Sequence, residues 1–197
     1  MTKYILNSGG VRNSADRGRK FFEEVFRGLG KNPRLLICNF AQLREDWETK
    51  YAQDLQYFEN FFGENKPALI LAFPEKFKAQ LKACDAVYIH GGDDHLVQHW
   101  LRQFDLPKIW EGKVVVTNSA SSNALAQSFW TCDWRKCMDG LGILPIKFIP
   151  HYKSTYGETD PRGPIDWAEA KKELENFGDK SLPIYALEEG EFAVFEV

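Results

Sequence analysis

Apolar positions along the chain fall into two alternating patterns. Short runs rich in β-branched residues recur at 4–6, 35–38, 68–72, 86–89 and 114–116, with the length and composition of strands. Between them, apolar residues return every three or four positions, as on one face of a helix. The first such segment, 14–29, places Phe21, Phe22, Val25, Phe26 and Leu29 on one side, and Gly30 is its stop. The second, 42–62, does the same with Trp47, Tyr51, Leu55, Phe58 and Phe62. This β-α-β-α rhythm predicts a mostly parallel sheet. Continuous runs such as 113–116 predict strands buried on both faces, so the expected fold class is an α/β three-layer sandwich. The segment 152–164, YKSTYGETDPRGP, breaks the rhythm and is expected as a surface loop. A helix at 166–177, a strand at 182–187 and a terminal strand at 192–197 complete the pattern.

A length of 197 residues predicts one domain spanning 1–197. Apolar residues make up 44% and charged residues 27%, which excludes disorder and fibrous repeats. Lys and Arg number 25 against 28 Asp and Glu, mixed along the chain. Without a basic footprint, neither nucleic acid nor an anionic membrane is the expected partner, and a small or peptide-like ligand fits better. No apolar run reaches the length of a membrane span and the first residues lack a signal-peptide pattern, so the cytoplasm is the expected compartment. Cys38, Cys84, Cys132 and Cys137 are read as buried structural thiols.

The sharpest chemical feature is VVVTNSASSNALA at 114–126, where a buried strand runs into small residues and then a helix. Ser119, between Asn118 and Ala120, has the setting of a nucleophile elbow, although Thr117 and Ser121 stand where glycines are usual. The plainer alternative is a serine-rich helix cap. A second feature, Tyr88-Ile89-His90-Gly91-Gly92-Asp93-Asp94, also follows a strand. Its paired glycines let a backbone N–H face a ligand, or simply make a tight turn. A serine nucleophile needs a base, and His151 is the only histidine that follows the elbow. Asp133 and Asp139, close behind the serine in an expected helix or loop, are poorly placed as the third member, which leaves Glu188 or Glu189.

The ordered motifs Asn7-Ser8-Gly9-Gly10, His90-Gly91-Gly92-Asp93, Thr117-Asn118-Ser119-Ala120, Leu141-Gly142-Ile143-Leu144-Pro145, Pro150-His151-Tyr152 and Leu187-Glu188-Glu189-Gly190 resemble the peptidase E (aspartyl dipeptidase) and cyanophycinase family of serine peptidases. The resemblance implies a class I glutamine amidotransferase-like fold and a serine-dependent peptidase or amidase acting on short peptides, with no cofactor. It implies Ser119 as nucleophile, His151 as base and Glu189, directly before Gly190, as the acid. The N–H groups of Ala120 and of Gly91 or Gly92 would form the oxyanion hole. His90, Asp93 and Arg162 are the expected substrate contacts, Arg162 because family members use an arginine in the loop after the histidine. Ser121 and His90, where relatives have glycine, are expected to crowd the oxyanion site.

Two other readings share this ground. A family member without activity would bind a small peptide or amide in the same cleft. His95 and His99, four apart on a predicted helix, have metal-ligand spacing but no intervening glutamate, so no metal is expected. Trp130 and Trp134, near Cys132 and Cys137, are read as packing or a homodimer interface, with a cleft wall as the alternative.

Overall fold

The computed structural model describes residues 1–16 and 18–197. The first half alternates as the hydrophobic pattern requires: β1 (Lys3–Asn7), α1 (Arg19–Phe26), β2 (Arg34–Cys38), α2 (Trp47–Phe62), β3 (Ala68–Leu71), α3 (Phe77–Ala83), β4 (Ala86–Ile89), α4 (Asp94–Leu101), β5 (Val114–Asn118) and α5 (Ala120–Leu125). With the terminal β10 (Phe192–Glu196), these strands make a six-stranded sheet in the order β10-β1-β5-β4-β2-β3. Every pairing is parallel except that of β10 with β1.

Successive residues of the inner strands point to opposite, equally apolar layers. Ile5, Leu35, Ile37, Tyr88 and Val116 pack against Phe21, Phe22 and Val25 of α1 and Phe58 of α2. Tyr4, Leu36, Cys38, Val87, Ile89 and Val115 pack against α3, α4 and the segment beyond α5. Two covered faces explain why the strands read as unbroken apolar runs.

The helices are shorter than their apolar spacing predicts. α1 begins at Arg19, not at Ser14, because Ser14 and Asp16 use their side-chain oxygens to accept the Gly18 N–H in a turn. Arg17 lies outside the described residues. α2 begins at Trp47 after a single 3₁₀ turn at Arg44–Asp46. Its buried face also differs from expectation: Leu55 is 44% exposed, and Asp54, at 2%, takes its place between Tyr51 and Phe58.

The largest departure is a second sheet. Residues expected as helix or loop behind the elbow form β6 (Ala126–Thr131) and β7 (Lys136–Asp139), an antiparallel hairpin pairing Phe129 with Met138 and Trp130 with Cys137. α5 lasts only six residues because Ala126 is already extended, and the Phe-Trp-Thr run favours a strand. With β8 (Leu144–Ile149) and β9 (Ile184–Ala186) the hairpin builds a four-stranded sheet, order β7-β6-β8-β9, covered by α6 (Trp167–Asn176). The strand expected over 182–187 is thus confined to its centre. Lys147 of β8 is fully buried, and its ammonium donates to the carbonyls of Leu174 and Glu175 at the end of α6, as suits a helix C-terminus. No helix among the described residues is long and apolar enough to cross a membrane. Cys38, Cys84 and Cys132 are buried and Cys137 half-buried, all as free thiols.

Candidate active site

The carboxyl ends of β1, β4 and β5 lie side by side, and the register pairs Asn7 with Asn118. β5 ends there, and Ser119 turns the chain with φ 50° and ψ −111°, a conformation that costs a non-glycine residue about 1–3 kcal/mol. Two main-chain bonds hold it: the Ser119 N–H donates to the Asn7 carbonyl at 3.0 Å, and the Asn123 N–H donates to the Ser119 carbonyl at 3.0 Å. The outcome is a serine hydroxyl lifted off the edge of the sheet. Ser119 Oγ lies 2.9 Å from His151 Nε2, and His151 Nδ1 lies 2.8 Å from Glu189 Oε1. Glu188 makes no such contact; its N–H donates to the Glu191 carboxylate.

The loop after β1 locks these three together. Asn7 donates its amide to the Thr117 carbonyl and accepts the Gly9 N–H, joining the loop to the elbow strand. Ser8 accepts the His151 N–H at 2.6 Å and donates to the Leu187 carbonyl at 2.8 Å, so one hydroxyl ties the histidine turn to the approach of Glu189. The Gly190 N–H then donates to the Gly9 carbonyl at 2.8 Å. The Asn7-Ser8-Gly9-Gly10 motif therefore positions the histidine and the glutamate, a role that its sequence alone does not state.

Gly91 borders Ser119: a Cβ added there would stand 2.7 Å from the Asn118 carbonyl and 3.1 Å from Ser119 Cβ. Gly92, with φ 146°, faces the Ala41 carbonyl, which a side chain would strike. The N–H groups of Gly91, Gly92 and Ala120 have no hydrogen-bond acceptor among the described residues. Neither residue expected to crowd this region does so. Ser121 is fully buried and donates to the Ile89 carbonyl at 2.6 Å while accepting the Asn118 N–H, bridging β4 and β5. His90 turns to α2, where Nε2 lies 2.8 Å from Asp54 Oδ2.

Of the three expected substrate contacts, only His90 lines a cavity next to Ser119. Asp93 caps α4, accepting the N–H groups of His95 and Leu96. Arg162 pairs with Asp160 and donates to the Asp133 carbonyl, and the structure does not bring it to Ser119. The side chains of His95 and His99 pack edge-on against Trp134 and Trp100. Trp134 is half-exposed, whereas Trp130 is buried on α6.

Two groups of neighbours escaped the sequence reading. On one side of Ser119 lies a cavity of about 360 Å³ lined by Arg12, Asn39, Lys50, Asp54, His90 and Asn118, among others. Burial pushes the Asp54 carboxyl up, but His90 and Arg12 outweigh it and hold the group below the usual carboxylate range. Asp54 was legible in principle, as a charge at helical spacing inside an apolar stripe. On the other side, Tyr156 stacks on the His151 ring at 4.4 Å between centroids and donates to Asp133 at 2.6 Å. The space left there is about 10 Å³, bordered also by Asp94, Asn123 and Thr131. Burial raises the Asp94 carboxyl to about 6, against the hydrogen bonds from Thr131 and Asn123.

Fold and geometry together define an α/β protein with a Ser-His-Glu cluster at the carboxyl edge of its parallel sheet. Residues 5–196 match the model of Peptidase family S51, and the chain belongs to that family of serine-type peptidases. No curated protein matches it in sequence. Among solved structures it is similar to a peptidase from an acI-B1 Actinobacterium, with TM-score 0.68 and 19% identity over 99% of this chain and 83% of that one. It is also similar to a putative peptidase E protein from Listeria monocytogenes EGD-e, with TM-score 0.62 and 13% identity over 100% of this chain and 99% of that one.

Proposed function

We propose that the protein hydrolyses short peptides with Ser119 as nucleophile, His151 as general base and acid, and Glu189 as the group that orients His151. The observation that carries this reading is the continuous chain from Ser119 Oγ through His151 to Glu189, with both links under 3 Å. Nδ1–H of His151 donates to Glu189, which leaves Nε2 free to take the serine proton as Oγ attacks the peptide carbonyl. The N–H of Ala120 and that of Gly91 or Gly92 hold the negative charge that develops on the carbonyl oxygen. Each such donor contributes about 3 kcal/mol. His151 then returns the proton to the departing amine, and water releases the acyl group by the reverse route. Arg162, engaged with Asp160, has no part in this scheme.

A mixed dipeptide library, read by mass spectrometry with wild type and Ser119→Ala side by side, tests it. Cleavage by the wild type and a loss of about 10⁶-fold in the variant is the expected result. Equal cleavage by both would remove Ser119 from the chemistry. Binding of peptides with no cleavage by the wild type would make the protein a non-catalytic member of its family.

A further inference from the structure

Ser119 follows β5 and Gln42 follows β2, the two strands that flank β4 in the sheet, so the glycine pair after β4 lies between them. Main-chain bonds fix both ends of this glycine turn: the His90 N–H donates to the Cys38 carbonyl at 2.9 Å and the Asp93 N–H to the Ala41 carbonyl at 2.8 Å. The peptide unit between Gly91 and Gly92 is held by a side chain instead, since Nε2 of Gln42 donates to the Gly91 carbonyl. In a trans peptide the carbonyl and the N–H point in opposite directions. With the carbonyl tied on the β2 side, the Gly92 N–H is turned towards the β5 side, where Ser119 stands. It has no acceptor among the described residues. Gly92, unlike Gly91, also borders the space of about 10 Å³ shared with Ser119, Ala120 and His151. That space holds about one oxygen-sized sphere.

Gln42 is anchored before its side chain reaches out. Its N–H donates to the Asn39 carbonyl at 2.9 Å, and its carbonyl accepts the indole N–H of the fully buried Trp47 at 3.0 Å. A restraint is needed at this point, because a peptide unit with no Cβ on either side rotates at little steric cost. Rotation would replace the N–H by a carbonyl oxygen, which repels the negative charge formed in the reaction.

We propose that Gln42 is a positioning residue for the reaction: it holds the Gly91 carbonyl so that the N–H of Gly92, and not that of Gly91, meets the oxygen on which negative charge develops. The proposal rests on the peptidase reading of Ser119, which puts the scissile carbonyl between Gly92 and Ala120. Nothing in the His90-Gly91-Gly92-Asp93 motif points to Gln42, which lies 49 residues before Gly91.

Labelling by an ethoxy alkylfluorophosphonate, followed by intact-protein mass spectrometry, tests it without knowledge of the peptide substrate. Ser119 Oγ attacks phosphorus as His151 takes its proton, fluoride departs, and the phosphoryl oxygen occupies the place of the carbonyl oxygen. Saturation kinetics separate reversible binding (KI) from bond formation (kinact). Gln42→Met keeps the length of the side chain and both main-chain bonds but removes the donor. The expected result is kinact lowered about 10²-fold, the scale of a lost oxyanion donor, with KI little changed. Gln42→Glu sets an acceptor against the Gly91 carbonyl and should lose at least as much, which keeps the test valid if Gln42→Met fails to fold. A purely structural Gln42 would lower the Tm and leave kinact of the folded protein at the wild-type value. That result, or a change confined to KI, would overturn the proposal. A wild type left as unlabelled as Ser119→Ala would remove Ser119 as an activated nucleophile, and this role of Gln42 with it.

Discussion

Gly9 lies against the imidazole of His151 so closely that a Cβ on it would come within 3.0 Å of both ring nitrogens. Its φ of 123° also disfavours any side chain. Gly9→Ala is therefore expected to displace His151 from Ser119 while leaving the cavity on the α2 side untouched. A displacement near 1 Å costs on the order of 10²-fold in turnover. Steady-state kinetics should show the loss in kcat with KM changed little, and a KM effect alone would contradict the positioning role.

Glu189 meets His151 through one carboxylate oxygen and is itself partly exposed, with 42% of its side chain accessible. The charge matters in the proposed scheme because an imidazolium forms next to it as the serine attacks. Glu189→Gln keeps the shape but loses the charge and can present the wrong partner to Nδ1. The expected loss is about 10⁴-fold in kcat. Glu188→Gln, whose carboxylate has no place at His151, serves as the matched variant and should turn over like wild type. Comparable losses in both would detach Glu189 from the orientation of His151.

The alternation of strands and helices through β5 was readable in the sequence because a sheet covered on both faces leaves unbroken apolar runs. Ser119 is readable as a turn of small residues after a strand and His151 as the one histidine that follows it, whereas the choice of Glu189 over Glu188 comes from the family resemblance. What stayed hidden depends on contacts far apart in the chain. Ser8 reaches 143 residues to His151, and no local pattern encodes that bond. Asp54 disappeared because Leu55, one position on, offered a plausible apolar face for the helix. The hairpin of β6 and β7 falls where a helix or loop is expected behind the elbow, although Phe129 to Thr131 carry a strand's residues. Only the resemblance points to Arg162, and in the structure it pairs with its neighbour Asp160.

Asp94 accepts from Asn123 Nδ2 at 2.9 Å and Thr131 Oγ1 at 2.6 Å, yet burial leaves its carboxyl raised to about 6. The folded state thus binds a proton more tightly than the unfolded chain. That contribution to stability is complete at pH values below the ordinary aspartate range near 3.8 and is lost as pH rises through about 6. At pH 7.5 the ionised, buried group costs up to about 3 kcal/mol relative to a neutral one. Asp94→Asn should raise the Tm at pH 7.5 and flatten the change in Tm between pH 4 and 7. An unchanged or steeper pH dependence in thermal melts would show that another group is responsible.

Tyr156 covers the face of His151, and its hydroxyl is fixed by Asp133 on the hairpin between β6 and β7. On this side of Ser119 only about 10 Å³ remains, roughly the space of one water molecule. A substrate side chain directed this way must be small or must displace the tyrosine. Tyr156→Ala removes the ring and should admit larger residues at the acyl position, moving kcat/KM towards Leu- and Phe-containing dipeptides by about tenfold, the scale set by a few methylenes of apolar contact. Tyr156→Phe keeps the stack and loses only the bond to Asp133, so its substrate preference should stay near wild type. Parallel shifts in both variants would mean that the hydroxyl, and not the bulk of the ring, sets the limit, while no shift in either would place the acyl side chain in the cavity on the α2 side.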